Sequence, residues 1–154
     1  MEGTMDLILW RHAEAEEGVP DEERRLTPKG VKQAKRIAEW LEERLPEGAV
    51  VLASPARRAR ETARQFTKTF EAREEINVGA SAAALLKAAG WPKRDGTVVV
   101  VGHQPTLGEA AALALSGQEA AWSLRKGAIV WIASRDREGG RRAMLVAALS
   151  PDLL

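Results

Sequence analysis

Cysteine is absent from the 154 residues, which removes disulfides, thiolate nucleophiles and thiolate metal sites together. A surplus of charge of either sign is missing as well. Lys and Arg number 23 against 22 Asp and Glu, a formal net charge of +1. The molecule as a whole therefore exerts no strong field toward nucleic acid or membrane, and any preference for anions must come from local placement of arginine. No apolar run approaches the roughly 20 residues needed to cross a bilayer. Met1 is followed by Glu2 and Asp6, with neither the basic nor the apolar stretch of an export signal. Together these absences give the expectation of a cytoplasmic protein with no nucleic-acid or membrane partner. Aromatic residues make up only 5%. The tryptophans (Trp10, Trp40, Trp91, Trp122 and Trp131) are scattered, with no basic stripe between them, so they read as packing residues rather than a stacking surface.

What is present suits one globular domain over residues 1–154, with 45% apolar and 29% charged residues. Two patterns alternate along it. Short apolar runs at 7–10, 49–53 and 97–101 read as buried strands, and 76–78 as a further brief one. Between them lie helical spacings. Thr27-Pro28 is an N-cap with Pro at the first helical position, and Val31, Ala34, Ile37, Ala38, Leu41 and Leu45 line one face up to Pro46. Ser54-Pro55 repeats that start signal ahead of Ala59, Ala63, Phe66 and Phe70. An Ala-rich helix is predicted over 81–89, and another from Gln104-Pro105 to Gly117. Residues 128–134 and 143–149 read as a hairpin around a charged, Gly-containing loop. The expected fold is α/β, three-layered, with a mainly parallel sheet, helices on both faces and an antiparallel C-terminal edge. Ligands of such sheets bind beyond the carboxyl ends of the strands, against helix N-termini.

Three predicted strand ends hold the candidate chemistry. They read Arg11-His12-Ala13-Glu14, Ser54-Pro55-Ala56-Arg57-Arg58 and Gly102-His103-Gln104-Pro105. The sequence has only two histidines, and both fall there. Arg57, Arg58 and Arg60 occupy the first turns of a helix, where the dipole disfavours cations. A solvated basic face explains some of them, but a guanidinium beside a helix N-terminus also makes a strong anion pocket, because its planar fork matches phosphate oxygens. Arg11, His12, Arg58 and His103 can together surround a tetrahedral phosphoryl group.

Here the sequence resembles the histidine phosphatase superfamily. Arg11-His12-Ala13 is similar to its Arg-His-Gly signature. Leu26-Thr27-Pro28-Lys29-Gly30, followed by Gln33-Ala34, resembles its Leu-Thr-x-x-Gly-x-x-Gln-Ala element. Ser54-Pro55-x-x-Arg58-Ala59-x-x-Thr62 matches its Ser-Pro-x-x-Arg-Ala-x-x-Thr segment, and Gly102-His103-x-Pro105 its distal Gly-His block. The short length and the Gly-His-x-Pro form point to the bacterial SixA-like branch, whose members remove phosphate from phosphohistidine proteins.

The resemblance implies a phosphoglycerate mutase-like fold and a hydrolase of phosphoric monoesters or phosphoramidates that uses no metal and no cofactor. His12 would be the nucleophile that becomes phosphorylated, with Arg11, Arg58 and His103 holding the phosphoryl oxygens. It selects Arg58, not Arg57, as the phosphate ligand. The partner it implies is a phosphorylated protein of the histidine phosphotransfer type, or else a small phosphorylated metabolite.

Two departures stand out. Ala13 occupies the usual Gly position, which is unfavourable if positive φ or close backbone approach is needed there. The carboxylic acid that many members use to protonate the leaving oxygen has no evident equivalent, since 76–87 contains no Asp or Glu. Glu14 and Glu16 are the candidate donors, with the loop at 21–23 as a further source. Three other readings compete: a small-molecule phosphomonoesterase or mutase of the same superfamily, a non-catalytic phosphate-binding domain, and a metal site on His12 and His103, which lacks a supporting Asp/Cys cluster.

Overall fold

The computed structural model describes residues 3–154. Four strands, β1 (Thr4–Arg11), β2 (Val50–Ala53), β3 (Glu71–Ala72) and β4 (Gly96–Gly102), run parallel. β5 (Ile129–Arg137) and β6 (Gly140–Leu149) continue the same sheet antiparallel, in the order β3-β2-β4-β1-β5-β6. Four helices accompany them: α1 (Pro28–Glu42), α2 (Arg57–Arg64), α3 (Ala82–Ala89) and α4 (Thr106–Ser116).

The unbroken apolar run of β1 follows from its place in the middle of the sheet. Leu7 and Leu9 face α3 and α4, whereas Ile8 and Trp10 face α1 and α2, and all four are fully buried. β4 behaves alike, with Val98 and Val100 on one side and Val99 and Val101 on the other. Strands covered on both faces have no polar side to alternate with. The three-layer α/β expectation holds, antiparallel edge included. Among the described residues no helix is long and apolar enough to cross a membrane.

Several boundaries differ from expectation. Residues 76–78 form no strand. Ile76 instead ends a 3-10 turn (Glu74–Ile76) and buries its side chain on the α3/α4 side. Asn77 bonds Glu74 through its Nδ2 and accepts the Val78 amide at 2.8 Å, so these polar groups are satisfied locally rather than by a ladder. α1 stops at Glu42, short of Pro46.

α2 begins at Arg57, not at Pro55. Ala56 occupies its N-cap position without a side-chain cap, because the Ser54 hydroxyl is used elsewhere. It ends at Arg64, so Phe66 and Phe70 both lie beyond it, although they still pack on the α1/α2 side. The hairpin strands run further than expected. Gly139 and Gly140 take φ of 90° and 120°, which closes a two-residue turn at Glu138-Gly139. Arg135, Asp136 and Arg137 are consequently strand residues, paired with Arg142, Arg141 and Gly140.

Candidate active site

The site is built where β1 and β4 end side by side. Arg11 pairs with Gly102 as the last step of their parallel register, so the next residue of each strand, His12 and His103, emerges at one rim. The His12 amide donates to the Gly102 carbonyl at 3.0 Å, and the two imidazole centroids are 5.2 Å apart. Exposure is only 8% for His12 and 4% for His103.

His12 Nδ1 lies 2.8 Å from the carbonyl oxygen of Ala13. A carbonyl can only accept, so the proton sits on Nδ1 and Nε2 keeps its lone pair. Burial, and after it the charges of Arg58, Arg11 and Arg24, lowers the His12 pKa to about 4 against the opposing pull of the Ala13 carbonyl. His103 is pushed down to about 3, again first by burial, then by His12 and Arg58, with Asp21 acting the other way. Both rings are neutral near pH 7.

Of the three arginines at the start of α2, only Arg58 turns inward. Arg57 pairs with Glu61 at 2.8 Å, and Arg60 donates through Nε to the Pro55 carbonyl at 2.9 Å. Arg58 is 4% exposed and donates from Nη1 to the Asp21 carbonyl at 2.9 Å and from Nη2 to the Asp21 carboxylate at 3.1 Å. Arg11 donates from Nη1 to the Leu124 carbonyl at 2.8 Å. Both guanidinium groups keep a buried Nε–H without a protein acceptor, a condition that is unfavourable until an acceptor is supplied. Since Arg11 and Arg58 each depress both imidazoles, their charges lie within electrostatic reach of the two rings.

The carboxylates of Glu14 and Glu16 are held away from this cluster. Glu14 accepts from the Thr27 hydroxyl at 2.8 Å, and Glu16 pairs with Arg25 at 3.1 Å on the surface. The loop instead brings Asp21 to Arg58. Hydrogen bonds from Arg24 and then Arg58 hold its carboxyl below the usual range, so it is ionised and has no proton to give at neutral pH.

Two further residues shape the site: Ser54, which the sequence offers as a helix-start signal, and Thr62, which it offers only as a motif letter. The Ser54 hydroxyl, fully buried, is 2.7 Å from His103 Nε2 and also accepts the Ala56 amide. The Thr62 hydroxyl donates to the Arg58 carbonyl at 2.8 Å and accepts the Ala13 amide at 3.0 Å, tying the turn that carries Arg58 to the segment that carries His12.

The Leu-Thr-x-x-Gly-x-x-Gln-Ala element braces the same segment from the other side. Thr27 donates its amide to the Glu14 carbonyl, Gln33 Oε1 accepts the Glu14 amide, and a Cβ at Gly30 would lie 2.0 Å from the Glu14 carbonyl oxygen. Ala13 itself has no positive φ, and its methyl is fully buried in the α1/α2-side core. The conformation that would demand glycine is therefore not used there. Among the described residues no group of three or more His, Cys, Asp or Glu side chains is placed to hold a metal ion.

Two neutral, buried imidazoles stand together at the carboxyl rim of a parallel sheet within the field of two arginines, an arrangement that can receive an oxyanion and leaves one ring nitrogen of His12 with a free lone pair. Comparison with known proteins agrees. The model of the histidine phosphatase superfamily (branch 1) matches residues 7–81. An uncharacterized protein of Mycobacterium tuberculosis is 34% identical over 120 residues, which is 72% of this chain and 74% of that one. The structure of a Nakamurella multipartitia protein assigned as phosphohistidine phosphatase SixA superposes with a TM-score of 0.78 at 27% identity, covering 97% of each chain. Phosphoserine phosphatase of Entamoeba histolytica shares the fold at a TM-score of 0.70 and 20% identity, over 97% of this chain and 99% of that one. The chain belongs to the histidine phosphatase superfamily. Family and neighbours together support phosphatase activity.

Proposed function

We propose that this phosphatase acts on phosphohistidine carried by another protein, of the histidine phosphotransfer type, through a covalent phosphohistidine on His12. The observation that carries the reading is the Nδ1–H bond to the Ala13 carbonyl at 2.8 Å, which supports an unprotonated Nε2 as the attacking atom. Nε2 forms a bond to phosphorus as the bond to the leaving nitrogen breaks. Water then cleaves the new N–P bond and returns His12 to its neutral form. Arg11, Arg58 and His103 stabilise the charge on the phosphoryl oxygens, the positioning and electrostatics on which phosphoryl transfer depends. The cycle uses no metal and no cofactor.

The substrate class follows from proton supply. Glu14 and Glu16 are bonded elsewhere, and Asp21 is held ionised. An alkoxide leaves poorly without a donated proton, whereas a phosphoramidate nitrogen takes its proton before departure. That supports phosphohistidine over a plain alkyl phosphate. The Nakamurella protein bears the same assignment in its name.

The test is acid-labile labelling with ³²P-phosphohistidine protein, run beside a panel of phosphomonoesters. The wild type is expected to carry label on His12 and to hydrolyse phosphohistidine fastest, and His12→Ala to lose label and turnover while staying folded. Turnover by His12→Ala near the wild-type rate overturns the mechanism. Faster cleavage of small phosphomonoesters would transfer the substrate class to metabolites.

A further inference from the structure

Asp21 belongs to two places at once. Its carboxylate and carbonyl both hold the buried Arg58, so it stands at the edge of the phosphoryl cluster. It also lines an open groove of about 420 Å³ that runs along the start of α2, past Pro55 and Ala56, which follow the His103-bonding Ser54. The other charged residues of that groove are Glu22, Glu23, Glu74 and Arg60. The wall thus carries four carboxylates against one guanidinium, and Arg60 is already bonded to the Pro55 carbonyl. The Asp21 carboxylate is ionised and half exposed, with Arg24 on its Oδ1 and Arg58 on its Oδ2, each at 3.1 Å, and it stands beside any phosphoryl group held by Arg58.

On the phosphatase reading above, this arrangement has a consequence for the leaving group. A substrate whose phosphoryl group reaches Arg58 places the rest of itself past Asp21. A second anion there meets a like charge at close range, which low ionic strength leaves only partly screened. A neutral or cationic group meets none, or is attracted. Discrimination by an unfavourable contact is a common source of specificity. Basic residues around a phosphorylated side chain satisfy the wall, while a carboxylate or a further phosphate does not.

We propose that Asp21, with Glu22, Glu23 and Glu74 behind it, is a specificity-determining residue that admits phosphoryl donors with a neutral or cationic surround and rejects those bearing a second anionic group.

Three probes of one shape test this: phenyl phosphate, 4-carboxyphenyl phosphate and 4-(aminomethyl)phenyl phosphate, assayed with the full chain at low salt. For the wild type, kcat/KM is expected to rank cation above neutral above anion. Asp21→Asn keeps the backbone bond and an oxygen acceptor for Arg58 but removes the charge. It should raise the anion-to-neutral ratio by about fivefold or more, and Glu22→Gln, which touches no part of Arg58, should move the ratio the same way by less. Adding 0.5 M salt should compress the wild-type ratio toward that of Asp21→Asn.

An unchanged ratio in Asp21→Asn, or an equal fall for all three probes, overturns the proposal, since the residue would then act only by positioning Arg58. Should Asp21→Asn fail to fold, the Glu22→Gln ratio and the salt response decide by the same criteria. Label on His12 with an unmoved ratio defeats the charge filter alone. Absence of both label and turnover in the wild type defeats the phosphatase reading beneath it.

Discussion

Burial sets the charge of both imidazoles, and with it two pH dependences that lie in different windows. A free-enzyme pKa of about 4 for His12 keeps the proposed nucleophile neutral well below the ordinary histidine value. The acid limb of kcat/KM that His12 controls should therefore lie near 4 rather than 6.5, read from a profile corrected for substrate ionisation. Stability is lost on acidification too, but from a higher pH. As pH falls below 6.5, the unfolded chain binds protons that folded His12 and His103 refuse down to about 4 and about 3. Folded-state stability is then lost as pH drops through that window, by about 1.4 kcal/mol per pH unit for each histidine. Urea midpoints at pH 7 and pH 5, compared with those of His12→Asn, would show it.

The Ser54–His103 contact makes a separate prediction. Ser54→Ala leaves His103 Nε2 and the Ala56 amide without the hydroxyl that joins them. One neutral hydrogen bond is worth about 1 kcal/mol, so kcat/KM should fall by about tenfold at most, with ³²P labelling of His12 retained. Abolished labelling would mean that Ser54 acts on His12 as well.

Among the elements, α1 acts as a buttress for the segment that follows the nucleophile, and Gly30 is the point of closest approach. Its missing side chain lets the first turn of α1 meet the Glu14 carbonyl, which a Cβ would overlap at 2.0 Å. Gly30→Ala must push α1 and residues 13–14 apart. We expect a loss of about 1–3 kcal/mol in urea unfolding together with weaker labelling of His12. A purely propensity-driven gain in stability is the outcome that would contradict it.

The elements also show where local signals stop. Thr27 caps α1 as its position suggests, accepting the Gly30 amide at 2.9 Å. Ser54 looks like the same signal, yet its hydroxyl is turned to His103 and α2 starts uncapped at Arg57. A capping residue can serve its helix or a distant partner, and nothing in the neighbouring letters says which.

On the scale of the whole molecule, one sheet separates two packed layers. Leu85 of α3 and Ile37 of α1 are both fully buried, on opposite sides of it. Leu85→Ala and Ile37→Ala should each lower stability by about 2–5 kcal/mol. Because both layers rest on the same strands, each variant should still unfold in a single transition. Two separate transitions in either variant, by fluorescence and circular dichroism, would show that the layers fold independently.

The sequence by itself determined the central strands, the four helices and the residues that crowd the strand ends. It could do so because apolar periodicity, caps and motif spacing are written within a few residues of one another. It did not contain the neighbour relation of β1 and β4, which brings His12 to within 5.2 Å of His103 across a wide span of chain. Nor, apart from the family resemblance that selected Arg58, did it show which arginine of α2 turns inward, that Thr27 and Arg25 draw Glu14 and Glu16 away, or that Asp21 is the acid that reaches Arg58. Those outcomes are decided by which distant groups meet when the layers close on the sheet, and a hydrogen-bonding side chain offered several partners takes the one that packing puts within reach.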